Sequence, residues 1–204
     1  FLPVRKTAIR RATELSFGQA KIVSTTLHVM GIAVAAISLG MFIGALVEWG
    51  STNRDTAALL ISGTIALGAG GMLWWVTVPG TVRGRAVFSA VGWTWLVVTL
   101  VGAIPYLLGG TFDVPGIDRS GQFVNAIFES ASGYSATGST SLTDFEHPGR
   151  GMMMHRQITQ WYGGMGMVVI AVAVLPFLGV GGMDLMSAEA PGPSGDRLTP
   201  RVSE

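Results

Sequence analysis

The stretch "FESASGYSATGSTSL", residues 128–142, is small, polar and turn-forming, and it lies in an otherwise apolar chain. Two chemistries fit its residue types. In the first, Ser135 of the Gly-x-Ser in "GYSA" is a nucleophile and His155 its base, as in an intramembrane serine hydrolase. That requires the two side chains within about 3 Å of one another, yet Ser135 is expected deep and His155 near the outer surface. In the second, no side chain reacts. Small residues leave the backbone unwound, and its free carbonyls replace the water shell of a dehydrated cation. Gly138 suits that role because it takes backbone angles closed to other residues, so consecutive carbonyls can turn toward one axis. Glu129 is the only charge between Ser120 and Thr143.

The elements that must position this stretch follow from the spacing of charges. Only 12% of the residues are charged, against about 25% in a soluble domain. No Asp, Glu, Lys or Arg occurs from Ile22 to Val47, Thr56 to Val82, Ala86 to Phe112, or Gln157 to Met183. A helix needs about 20 residues to cross the hydrocarbon core, so four membrane-spanning helices are expected. The first is longer than the 7–15 residues or so of a cleaved signal segment and reads as a retained anchor. Arg5, Lys6, Arg10, Arg11 and Lys21 precede the first span, and Arg83 and Arg85 lie between the second and third. Basic residues near span ends collect on the cytoplasmic side. Both termini and the second loop are therefore expected inside, and the first and third loops outside. The net charge of +1 points to no polyanionic partner such as nucleic acid. The absence of cysteine excludes disulfides and thiolate metal sites.

Residues 1–20 read either as a helix on the inner membrane surface or as a disordered basic tail. Gly40 and Gly44 have the four-residue spacing of close helix packing, a pattern common by chance. His28 reads as a hydrogen-bonded residue near the inner interface. Trp74 and Trp75 suit the cytoplasmic interface, and Pro79 and Gly80 stop the second helix. Pro105 and Gly109–Gly110 close the third. Between the third and fourth spans, residues 121–133 have apolar residues at three- and four-residue steps: Phe123, Val124, Ile127, Phe128 and Ala131. At about 1.5 Å per residue this helix is only ~20 Å long, short of a core of about 30 Å. The expected geometry is re-entrant: a short helix dips in, turns at Gly133, and the chain returns through Tyr134–Thr140. Non-helical backbone at membrane depth survives only if it is buried in protein or lines a watery cavity. Gly163, Gly164 and Gly166 leave a nearly bare patch on the fourth helix, for packing or as a flexible point. Pro176 kinks or ends that helix, and 184–204 read as a polar inner-side linker.

With "HRQITQWYGGMGMVVIAVAVLPFLGVGGMDLMSAEAPGP" beside the first motif, the chain resembles the Trk/Ktr/HKT superfamily of potassium transporters, closest to its TrkH/TrkG-type membrane subunits. The resemblance covers most of the chain. It implies an all-α integral membrane fold in which residues 21–82 are an extra helix pair and 83–183 the first of four helix–pore loop–helix repeats. The pore helix is then about 121–133 and the filter about 134–140. It also implies that backbone carbonyls of Ser135, Ala136, Thr137, Gly138 and Ser139 form a quarter of a filter, with potassium at Ala136, Thr137 and Gly138. Glu129, Gly133, Arg156 and Gln160 support it. Potassium is the transported ion, and no organic cofactor is implied. The implied partners are the lipid bilayer, three further repeats, a second copy in a homodimer and a cytosolic nucleotide-binding regulatory subunit. The implied location is the inner membrane of a bacterium. Two departures stand out. The family's filter stretch is richer in Thr than Ser135-Ala136. The second, third and fourth repeats, a gating loop and the basic residue below the filter are also missing, so the chain reads as an N-terminal piece of a longer transporter.

Individual roles stay open at this level. Glu129 either raises the local cation concentration or is a structural acid tied to the loop's amides or to a basic neighbour. Arg156 either anchors in the headgroups or pairs with an acidic loop residue, and Gln160, one turn on, braces the loop. Asp113, Asp118, Asp144 and Glu146 form an acidic outer face. The alternative to transport is a non-transporting assembly module, or a homotetramer supplying one pore loop per chain.

Overall fold

The computed structural model describes residues 2–50, 54–80, 85–146 and 148–174. Its elements are α1 (Leu2–Val47), α2 (Asp55–Val76), α3 (Arg85–Gly109), α4 (Arg119–Tyr134) and α5 (Arg150–Val174). No strand occurs among the described residues. Three segments are long and apolar enough to cross a membrane: Ala20–Val47, Asp55–Val76 and Val87–Gly109. The fold is that of an all-α membrane protein. The charge-free window of the fourth expected span runs on past Val174, so its far end, Pro176 and the 184–204 linker lie outside the described residues, as does Arg83.

The chain divides into two compact units, Phe1–Gly166 and Met167–Glu204. The second is described only as the last turns of α5. In the first unit, the basic N-terminal residues are continuous with the helix of the first span. One face of α1 supplies Met30, Val34, Ile37, Met41 and Ala45 at three- and four-residue steps, and they pack with Leu59 and Ala66 of α2 and Val98, Ala103 and Tyr106 of α3. Between helices in lipid, close backbone approach matters more than apolar burial. Gly31 and Gly70 provide it between α1 and α2. A Cβ on Gly31 would lie 2.8 Å from the Gly70 carbonyl oxygen.

The open end of this hairpin is tied by polar contacts. His28 Nδ1 lies 3.1 Å from the Thr77 carbonyl oxygen, in keeping with a hydrogen-bonded role, and its ring is near Trp74. The Val78 and Gly80 amides donate to Ser24 and Thr25 hydroxyls, so the chain past α2 is pinned to α1. Pro105 stands inside α3, which continues four residues beyond it. The stop comes at Gly110, with φ of +73, where the Thr111 amide reaches back to the Tyr106 carbonyl. This is the left-handed closure typical of helix C-termini.

Candidate functional site

α4 is capped by Asp118, whose carboxylate accepts from the Gly121 amide at 3.0 Å and from the Ser120 hydroxyl at 2.6 Å. The Ser120 bond first, then the Gly121 bond, hold this exposed carboxyl below its usual range. The 16 residues of α4 span about 24 Å at ~1.5 Å each, still short of the hydrocarbon core.

The stop of α4 is built by the motif itself. The Thr137 amide donates to the Ser132 carbonyl and the Ala136 amide to the Gly133 carbonyl. This is the paired closure that places one residue in the left-handed region. Here that residue is Ala136, with φ of +54, where glycine is usual. The Ser135 amide takes the Ala131 carbonyl, and Trp95 Nε1 donates to the Tyr134 carbonyl at 3.1 Å. The last carbonyls of α4 are thereby partnered.

Beyond them the chain is non-helical through Thr140. Gly138, with φ of +77, is left-handed too, so two left-handed residues flank Thr137 and swing successive peptide planes. Among the described residues nothing donates to the carbonyls of Ser135, Ala136 or Thr137. The Gly138 carbonyl receives a long 3.4 Å contact from Arg156 Nη2, and the Ser139 carbonyl receives the Ser132 hydroxyl at 2.5 Å. Residues 136–140 are all exposed on this chain. The segment thus divides: open oxygens at 135–137, and oxygens already bonded on the protein side at 138–139.

The loop is held from behind by Glu129, which is buried in α4. Its Oε1 accepts from Arg156 Nε at 2.5 Å. Its Oε2 accepts from the Thr140 hydroxyl at 2.9 Å and the Ser141 amide at 3.1 Å. Of the two roles open to Glu129, the geometry builds the tie to a loop amide and a basic neighbour. Arg156 does not reach out to headgroups; it is buried against Glu129. The physical reason is that a lone buried carboxylate is costly without a partner. Gln160 is half-buried, and its Nε2 would stand 3.6 Å from a Cβ on Gly138.

Helix contacts fix the height of α4. A Cβ on Gly163 would lie 2.5 Å from the Tyr134 carbonyl oxygen and 2.6 Å from that of Gly133. A Cβ on Gly133 would run into the Thr159 side chain, and one on Gly166 would press on Trp95. Gly164 faces open space. Ser130 donates to the Thr99 carbonyl of α3. Trp95 carries a signal of its own in the sequence: an indole far from either interface needs a partner for its N–H.

The hydrolase arrangement is not assembled. The Ser135 hydroxyl bonds to Thr137 and to the Ser132 carbonyl. His155 is buried, with Nε2 at the Gly102 carbonyl and its ring against Tyr106.

The sequence model of the TrkH family, described as "Cation transport protein", matches residues 56–204. The Trk system potassium uptake protein TrkH of Escherichia coli K12 is 38% identical over 182 residues, covering 87% of this chain and 36% of that protein. TrkG of the same strain, also a Trk system potassium uptake protein, is 31% identical over 180 residues with the same coverage. The crystal structure of the potassium transporter TrkH from Vibrio parahaemolyticus superposes with a TM-score of 0.67 at 30% identity, covering 82% of this chain and 35% of that one. The chain spans about a third of the length of the relatives it matches.

Proposed function

This chain belongs to the TrkH family of cation transport proteins, and from that premise we propose that it contributes one quarter of the selectivity filter of a longer potassium-uptake protein. Potassium ions pass the carbonyl oxygens of Ser135, Ala136, Thr137, Gly138 and Ser139, with the open oxygens at 135–137 as the principal ligands. The single observation that carries this reading is a run of unpartnered main-chain oxygens, exposed on one side and braced on the other by Glu129, Arg156 and Ser132. Soft, multi-site coordination suits an ion that must both enter and leave. No bond is made or broken, so the chain is a transport component and not an enzyme.

The same reading divides the chain into an N-terminal helix pair (21–82), a helix–pore loop–helix repeat (83–183) and flanking inner-side segments (1–20 and 184–204). It places the protein in a bacterial inner membrane with both termini inside. Three further repeats complete the ring, and a second copy and a cytosolic nucleotide-binding subunit complete the assembly. The test is Gly138→Ser in the complete transporter, expressed in a bacterium lacking its own potassium uptake. A Cβ there meets Gln160 Nε2 at 3.6 Å, an ordinary contact, but the φ of +77 disfavours any L side chain. Loss of selective uptake with normal membrane insertion is expected. Unchanged potassium selectivity would overturn the reading.

A further inference from the structure

The turn of the N-terminal helix pair carries two buried carboxylates, Glu48 just after α1 and Asp55 at the start of α2. Both reach far along the chain. The Gly149 amide donates to Asp55 Oδ2 at 2.6 Å, across 94 residues. The Gly151 amide donates to Glu48 Oε2 at 2.5 Å, across 103 residues. The first intrahelical bond of α5 is Met153 to Gly149, so these amides are two of the four that a helix start leaves unpaired. The positive end of the helix dipole adds attraction for the carboxylates. The backbones also touch here: a Cβ on Gly44 would lie 2.7 Å from the Gly151 carbonyl oxygen, and one on Gly151 would lie 2.6 Å from Glu48 Cβ.

We propose that Glu48 and Asp55 are positioning residues for the ion path, through which the N-terminal hairpin sets the height and rotation of α5. The proposal rests on the reading of residues 135–139 as ion ligands. Arg156 lies five residues past Gly151, about 7.5 Å along a helix rising ~1.5 Å per residue. Over so short a length a helix is stiff, so a slip at its start is carried to Arg156. Arg156 joins Glu129 to the Gly138 carbonyl, and Glu129 in turn holds Thr140 and Ser141. The chain of contacts therefore runs from the hairpin turn, through the first turn of α5, to the back of the loop. It makes the hairpin part of the filter's support.

The test uses the complete transporter, with Glu48→Gln, Asp55→Asn, the double amide variant, and the double alanine variant. The amides keep an acceptor oxygen and lose the charge; alanine loses both. Rubidium uptake is measured against concentration, with sodium competition, and normalised to protein in the membrane. The double alanine variant is expected to raise the half-saturation concentration about tenfold and to lower discrimination against sodium, the scale of one charge-assisted hydrogen bond. The amide variants are expected to fall between it and the unmutated protein. If uptake per molecule keeps its half-saturation and its sodium discrimination in every variant, and only abundance falls, the proposal is overturned. Where a double variant does not accumulate, the two single amide variants decide by the same criterion. An unmutated protein that takes up no rubidium would overturn the ion-path reading itself, a result distinct from normal uptake that the variants leave unaltered.

Discussion

Glu129 takes three hydrogen bonds through two oxygens, and each donor belongs to a part that must stay in register: Arg156 of α5, and Thr140 and Ser141 of the returning loop. Removing one partner of a buried ion pair leaves a charge uncompensated and costs on the order of 3–5 kcal/mol. Arg156→Met is therefore expected to lower thermal stability in detergent by that order and to abolish uptake. Arg156→Lys restores the charge but loses the planar fork that reaches Glu129 and Gly138 together, so it should recover stability more than selectivity. Equal recovery of both would show that the loop does not depend on the fork. Ala136 is the second residue with a role set by backbone. Its left-handed φ costs an L residue about 1–2 kcal/mol, and a β-branched side chain fits there worse still. Ala136→Gly should keep or slightly raise the thermal midpoint, whereas Ala136→Val should lower it. The reverse order would mean that the closure of α4 is not set by this residue.

At the scale of elements, α4 is positioned by where it may not carry side chains. The Gly163 notch admits the carbonyls that end α4. These are main-chain atoms already bonded elsewhere, so they cannot move aside. Gly163→Ala is expected to destabilise by about 1–3 kcal/mol, as overpacking does. Gly164→Ala, facing open space, is expected to be neutral or mildly stabilising. Protease resistance of the purified protein distinguishes them, and equal losses would refute the notch. The start of α4 has a pH signature. Asp118 is held below the usual carboxylate range by Ser120 and Gly121. Its contribution is fully present above the ordinary aspartate range and is lost as pH falls through the lowered folded value. Protection of the Gly121 amide, its exchange rate taken relative to the intrinsic rate at the same pH, should fall at acid pH in the unmutated protein and be lost already at neutral pH in Asp118→Ala. Much of this element was legible from residues alone, because apolar spacing and Gly133 mark a short helix with a turn after it. Its end was less so. The closure depends on Ala136 adopting angles that composition assigns to glycine, and on Trp95, 39 residues before the Tyr134 carbonyl it binds. Arg156 was harder still: a basic residue at a span end normally marks an interface, and only the fold reveals the buried carboxylate beside it.

For the molecule as a whole, the first three spans were legible because charge-free windows report bilayer thickness directly, while the hairpin's grip on α5 was not, because no local pattern links Glu48 to Gly151. One surface of the first unit still needs a partner. Phe123, Val124 and Phe128 of α4 are about half exposed, and residues 136–140 of the returning loop are exposed as well. Lipid could cover the aromatic side chains, but hydrocarbon cannot satisfy open carbonyls, each costing several kcal/mol if left bare. The open carbonyls must therefore meet polypeptide or water. A photo-crosslinking side chain placed at Phe128 in the complete transporter is therefore expected to capture another segment of transporter polypeptide. Exclusive capture of lipid there would mean that this face of α4 is turned to hydrocarbon and not to a further segment of the transporter.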